Sequence, residues 1–137
     1  KCFWYMINGG VFDRFPDLKV YITHGGGFVP YQLGRMEKTN PNLDIFHNKK
    51  PFREYLRNFY FDVELHEVPM RQALVDVIGA DRVLYGSNFG GSDAVRHDLT
   101  DGLSLSDEDM QKIRWKNACE LLHLDPEKIG KVGSGSK

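Results

Sequence analysis

The sequence is poor in cysteine: Cys2 and Cys119 stand far apart, with no C-x-x-C pair and no histidine at zinc-finger spacing. That excludes a disulfide framework and a structural zinc knuckle, and both residues read as plain thiols. An excess of either charge is missing as well. The 18 basic and 19 acidic side chains are interspersed, for a formal net charge of −1 at pH 7, so no basic stripe points to nucleic acid or an anionic membrane. The sequence also lacks an apolar run of the roughly 18 residues needed to span a bilayer, a signal-peptide pattern at its start and an N-x-[ST] sequon. A soluble, cytoplasmic protein is the expectation. What is present is enough for one core: 137 residues, 41% of them hydrophobic. Residues 1–130 read as the folded portion, and 131–137, within the linker-like "GKVGSGSK", as a flexible tail.

Periodicity alternates along the chain. Trp4, Ile7, Val11 and Phe15 are spaced for a one-faced helix, weakened by Gly9 and Gly10 and ended by Pro16. Trp4, Phe12 and Phe15 are expected in the core. "LKVYITH" then reads as a buried strand with Val20, Ile22 and His24 on one face and Tyr21 and Thr23 on the other. A loop-rich stretch follows, with a short helix near Tyr31 to Lys38 and a helical turn or two from Pro51 to Asn58. "FYFDVEL", Phe59 to Leu65, is a second strand. Pro69 opens a helix whose Met70, Ala73, Leu74, Val77 and Ile78 form a stripe, and Gly79 caps it. "RVLYGSN" is a third strand, a polar loop runs from Phe89 to Leu105, and Ser106 with Asp109 caps a helix reaching about Leu122. Strands separated by helices predict an α/β fold with parallel strands and sites at the C-terminal strand ends.

Several nucleotide and metal motifs fail on inspection. G-x-G from Gly25 puts Pro30 where the third glycine of a dinucleotide fingerprint belongs, and Gly86 to Ser92 outlines a P-loop without its lysine. "HEVPM" from His66 begins like a zinc-protease helix but ends on Met70, so the second ligand is absent. The surviving features are His24-Gly25-Gly26-Gly27 after the first strand and Gly86-Ser87-Asn88 after the third. An imidazole followed by glycines is open to close approach by a metal or substrate. The plain alternative is a buried histidine bonded to a neighbour.

The succession "GVFDRFPDLKVYITHGGG", "YFDVELHEVPMRQALVDVIGADRVLYGSN" and "WKNACELLHL" resembles the C-terminal part of the amidohydrolase-related metal-dependent hydrolases, the group that includes aminocarboxymuconate semialdehyde decarboxylase. The resemblance covers nearly the whole chain up to the tail. It implies a partial (β/α)8 TIM barrel, roughly its last three β/α units, because an eight-fold barrel needs about 250 residues. It implies a divalent metal, zinc by family habit, and a small carboxylated substrate, aromatic acids included. His24 corresponds to the sixth-strand histidine that orients or deprotonates the attacking water. Asn88 stands where the family has a metal-binding aspartate in G-[ST]-D; its amide oxygen can meet a cation, but it is no base. Asp93 repeats the motif five residues on, out in the loop. The family's first-strand H-x-H pair and fifth-strand histidine have no counterpart, which leaves two readings: a hydrolase or decarboxylase, apparently truncated, or an inactive half-barrel without the metal.

The remaining polar residues carry weaker expectations. Arg35 is a candidate for binding a substrate carboxylate, with a helix-surface role as the alternative for it and Glu37. Asp62, Glu64 and His66 are expected to be structural or solvated. His47, His97 and His123 belong to no pattern, and Trp115 and Asn117 are expected to hold the last helix to the fold. The exposed edges of a partial barrel predict a homo-oligomer.

Overall fold

The β-branched and aromatic run before the triple glycine forms β1 (Val20–Ile22), the run "FYFD" forms β2 (Phe59–Asp62), and Val83–Leu84 forms β3. These strands lie in one sheet in the order β1-β2-β3 and pair in parallel, Val20 opposite Phe59 and Phe61 opposite Val83. The computed structural model describes residues 1–38, 44–94 and 96–129, so the tail expected at 131–137 lies outside the described residues. Parallel pairing requires crossovers, and two helices supply them: α3 (Val29–Met36) between β1 and β2, and α4 (Val68–Ile78) between β2 and β3. β2 is central and buried at every residue, which is why it reads as a continuous apolar run rather than an alternating one. The α/β class with parallel strands is as expected, and it brings all three C-terminal strand ends to one side of the sheet.

The first helical stretch is two helices, α1 (Cys2–Asn8) and α2 (Val11–Arg14), hinged at Gly10 with φ 69°. A left-handed residue stops an α-helix, and glycine adopts that conformation without steric cost. Phe3, Ile7 and Phe12 reach the core, where the Phe3 ring lies 4.5 Å from that of Phe59 and Phe12 4.9 Å from it. Phe15 departs from expectation: the backbone is extended there, at φ −130° and ψ 73°, so its ring leaves the helical face and is exposed. Trp4 is only partly buried, its indole N–H donating to the Met36 carbonyl.

The buried face of α4 is also turned from the expected stripe. Leu74 and Val75 are inside, Met70 and Val77 outside, and Arg71 is buried with them. Burying a guanidinium is costly unless its N–H groups are occupied. Its Nη1 donates to the Leu65 carbonyl at 3.0 Å, fixing the segment that leaves β2.

The last helix begins as expected: Ser106 Oγ accepts the Asp109 N–H at 3.1 Å at the start of α5 (Asp107–Gln111). It continues through a π-helical stretch, Lys112–Lys116, into α6 (Asn117–Leu122), and a short α7 (Pro126–Ile129) follows. Asn117 is buried and its Nδ2 donates to the carbonyls of Ala80 and Val83, both at 2.7 Å, so it pins this helix to β3. Trp115, grouped with it in the sequence reading, is exposed instead. No described helix is long and apolar enough to cross a membrane.

Candidate active site

The candidate site residues lie at and beyond the three C-terminal strand ends. After β1 the chain does not continue extended through His24; it turns at once into a single 3-10 turn, His24–Gly26, with His24 at φ 56° and Gly25 at φ 60°. His24 is therefore not on the strand face shared by Val20 and Ile22. Its side chain is 59% exposed and its Nε2 lies 3.1 Å from Glu64 Oε2. The alternative of a buried, satisfied core histidine is thereby set aside. Gly26 shows why the turn is glycine: a Cβ there would sit 2.5 Å from the Phe61 ring, and its φ is 76°.

Asp62 holds this turn against β2. Buried at 2% exposure, its carboxylate accepts the Gly25 N–H at 2.9 Å, the Tyr21 hydroxyl at 2.6 Å and the Glu64 N–H at 3.2 Å. Burial, and then the hydrogen bond to Asp62 with the nearby carboxylate charges, push the Tyr21 hydroxyl well above the usual tyrosine range, so it stays a donor. Glu64 is buried too, at 3% exposure of its side chain. Of the two roles expected for Asp62 and Glu64, structural or solvated, burial rules out the solvated one. Period two does put them on one face, but that face looks into the sheet's C-terminal end rather than to open solvent.

After β3 the chain leaves the sheet at Leu84, earlier than the strand expected to run to Asn88. Asn88 itself has φ 51°, and the Gly91 N–H donates to its carbonyl at 2.8 Å. This turn folds the loop back, so that Asn88 Nδ2 donates to Asp93 Oδ1 at 2.5 Å. Asp93 Oδ2 lies 3.7 Å from His66 Nε2. Among described residues, His24 and Asn88 are two of only three non-glycine residues with positive φ, His24 two residues past β1 and Asn88 four past β3. Such conformations cost free energy and persist where surrounding structure enforces them, which occurs often at functional sites.

Glu64, His66 and Asp93 each place one ligand atom within 4.8 Å of the others. Two carboxylate oxygens and an imidazole nitrogen are a donor set for manganese or zinc, so the residues present fit a divalent cation. Glu64 and His66 were expected to be structural or solvated; the signal for another role was their position just beyond the end of β2.

Arg35 is not brought to this cluster. It lines a groove of about 650 Å³ with Lys1, Trp4, Tyr5, Phe28 and Met36, and none of the strand-end residues lines that groove. Glu37 pairs with Arg53.

The C-terminal ends of the parallel strands thus bring together His24, a buried carboxylate and a triple of residues that fits a divalent cation. Residues 5–124 match the model of the amidohydrolase family, described simply as "Amidohydrolase", and the chain belongs to that family. It is 35% identical over 129 residues to 2-amino-3-carboxymuconate-6-semialdehyde decarboxylase of Dictyostelium discoideum, a match covering 90% of this chain and 36% of that protein. It is 30% identical over 132 residues to γ-resorcylate decarboxylase of Polaromonas sp., covering 88% and 39%. The crystal structure of a dihydroxybenzoic acid decarboxylase from Polaromonas sp., with bound manganese and the inhibitor 2-nitroresorcinol, superposes with a TM-score of 0.73 at 27% identity, covering 88% of this chain and 38% of that one. The chain thus spans less than two fifths of the length of these relatives, which are decarboxylases of carboxylated compounds.

Proposed function

We propose that this chain supplies catalytic strand ends to a metal-dependent decarboxylase of small carboxylated aromatic substrates, as roughly the last three β/α units of a (β/α)8 barrel. The observation that carries the reading is the pair of exposed His24 and buried Glu64, 3.1 Å apart where the parallel strands end. A buried carboxylate hydrogen-bonded to an imidazole fixes the orientation of the ring. From that position His24 hands a proton to the ring carbon that bears the carboxylate. The carbon–carbon bond then breaks, its electron pair restores the aromatic ring, and carbon dioxide leaves. A divalent cation, when bound, polarises the oxygens of the substrate's carboxylate and neighbouring hydroxyl.

Manganese in the Polaromonas relative supports a divalent metal, and the oxygen-rich donor set here favours manganese over the zinc that the sequence alone suggested. Asn88 offers that cation its neutral Oδ1 while its Nδ2 is engaged by Asp93. Arg35, beside Lys1 in its groove, takes the part of drawing anionic substrates at long range. β1 and β3 each have one edge with no partner strand among the described residues, and further strands or a second copy of the protein are proposed to cover them.

The test is product analysis after incubating the protein and manganese with 2,6-dihydroxybenzoate and, separately, with an aryl amide. Release of carbon dioxide and resorcinol from the first, with the amide intact, is expected. Amide hydrolysis without carbon dioxide release, or no reaction with either, overturns the reading.

A further inference from the structure

We propose that Arg114 is a positioning residue for the strand-end site: from the last helix it locks the neck of the loop that leaves β3, and so keeps Asn88 and Asp93 in place beside β2. The inference rests on the strand ends being the active site and not on the reaction carried out there.

The neck is closed first by its own residues. Tyr85 directly follows β3, and its hydroxyl oxygen accepts the Leu99 N–H at 3.4 Å, which returns the chain to the point where the loop began. Leu99 and Thr100 are fully buried, although both fall in the stretch expected to be a polar loop. Asp98 Oδ1 accepts the N–H and the hydroxyl of Thr100, at 2.8 and 2.6 Å. That is a local turn, and by itself it ties the loop to no other element.

Arg114 makes the tie. Its Nε donates to Thr100 Oγ1 at 3.0 Å and its Nη2 to Asp98 Oδ2 at 2.7 Å. The Thr100 hydroxyl thus donates to one partner and accepts from the other, and both Asp98 oxygens are occupied. Arg114 and Asp98 are partly exposed, and an isolated ion pair at such exposure contributes little. Here the planar guanidinium spans two acceptors at a buried stretch of chain, so it fixes geometry as well as charge. Partial burial opposes ionisation of Asp98, but the Thr100 bonds and the guanidinium outweigh it and hold the carboxyl below the usual carboxylate range, so the pair stays charged at neutral pH.

The helix is shaped to serve two directions. Arg114 lies in the π-helical stretch Lys112–Lys116; its neighbour Ile113 is fully buried, and Asn117 just beyond bonds the Ala80 and Val83 carbonyls. A π-helical turn holds one residue more than an α-helical one, and such turns are rare and occur often at functional sites. From its other side the returning chain is held by α4, where Gln72 Oε1 accepts the Ser104 N–H at 2.8 Å. Inside the neck the anchoring is light. Phe89 is 98% exposed, and the bonds of Asn88 to Asp93 and of the Gly91 N–H to the Asn88 carbonyl are internal to the loop. Apart from the 3.7 Å approach of Asp93 to His66, the place of these residues depends on the neck.

Nitrogen-15 relaxation of the backbone amides tests the clamp without reference to turnover. In the parent protein the amides of Ser87, Asn88, Gly91 and Asp93 are expected to have rigid-backbone order parameters of about 0.85, and in Arg114→Gln to fall below about 0.6, while those of Phe59 to Asp62 and the urea midpoint stay as in the parent. Asp98→Ala is expected to do the same, and the double variant to add nothing to either single change, because the two side chains act as one unit. Release of carbon dioxide by Arg114→Gln is expected to slow by about tenfold or more. Loop amides that are already mobile in the parent, or as rigid in both variants as in the parent, overturn the clamp; so does a fall shared equally by β2, which marks a general stabiliser. Selective loosening of the loop with turnover unchanged overturns the part of Arg114 in the site. Selective loosening in a protein whose parent releases no carbon dioxide upholds the clamp and overturns only the decarboxylase reading.

Discussion

His24→Ala is expected to lower the rate of carbon dioxide release by about 100- to 10,000-fold, the usual loss when a positioned acid–base group is removed. The size follows from the site: among the described residues, His24 is the imidazole within ion-pair distance of the buried Glu64, and its ring is exposed to an incoming substrate. The loss is expected in kcat rather than KM, because the ring acts on the reacting carbon and not in ground-state binding. His24→Gln keeps a polar side chain that cannot transfer a proton and is expected to be as slow as alanine. Steady-state kinetics of the three proteins check this. A change confined to KM, or turnover within a factor of three of the parent, would show that another group moves the proton.

Asp62→Ala is expected to destabilise the fold by about 3 to 5 kcal/mol, since it strips a buried carboxylate from three donors at once. Those donors are the Tyr21 hydroxyl and the N–H groups of Gly25 and Glu64; all lose their acceptor, and the two N–H groups do so in buried surroundings. Tyr21→Phe removes one donor and leaves the carboxylate two, so a cost of only about 1 kcal/mol is expected. Urea denaturation midpoints of both variants measure the difference. Because the Gly25 N–H tethers the His24 turn, Asp62→Ala is expected to slow turnover even where the protein remains folded. An alanine variant as stable as Tyr21→Phe would mean that the turn is held by packing of Gly26 on Phe61 and not by Asp62.

The parts of this architecture that were legible in the sequence are those with strong local causes. Val20 to Ile22 and Phe59 to Asp62 are β-rich runs ahead of turns, and Ser106 with Asp109 is a cap whose hydrogen bond forms as expected. Asn117 was placed in its anchoring role by resemblance, and its two bonds to the β3 side of the sheet bear that out. What escaped depended on positive φ angles and long-range contacts. An extended run gives no sign that His24 will adopt φ 56° and swing out of the strand, because the cause is the close approach of Gly26 to Phe61 in the neighbouring strand. Glu64 was left open between a structural and a solvated role since alternation along one strand does not show which face of the sheet is buried. Asp93 sits beyond β3 in sequence and reaches His66 only through the turn at Asn88 and Gly91. Phe15 was misplaced by counting helical spacing through Gly9 and Gly10, where the helix breaks.

The proposed function puts the ligand at the strand ends around His24 and not in the groove lined by Trp4, Tyr5 and Arg35, and amide NMR with the inhibitor bound by the Polaromonas decarboxylase separates the two. 2-Nitroresorcinol, which occupies the manganese-bound Polaromonas decarboxylase, would be titrated into the protein loaded with zinc as a diamagnetic substitute. The account predicts that the largest shifts fall on His24, Gly25, Gly26, Glu64 and Asn88. Shifts centred instead on Trp4, Tyr5 and Arg35, with the strand ends unmoved, would contradict it.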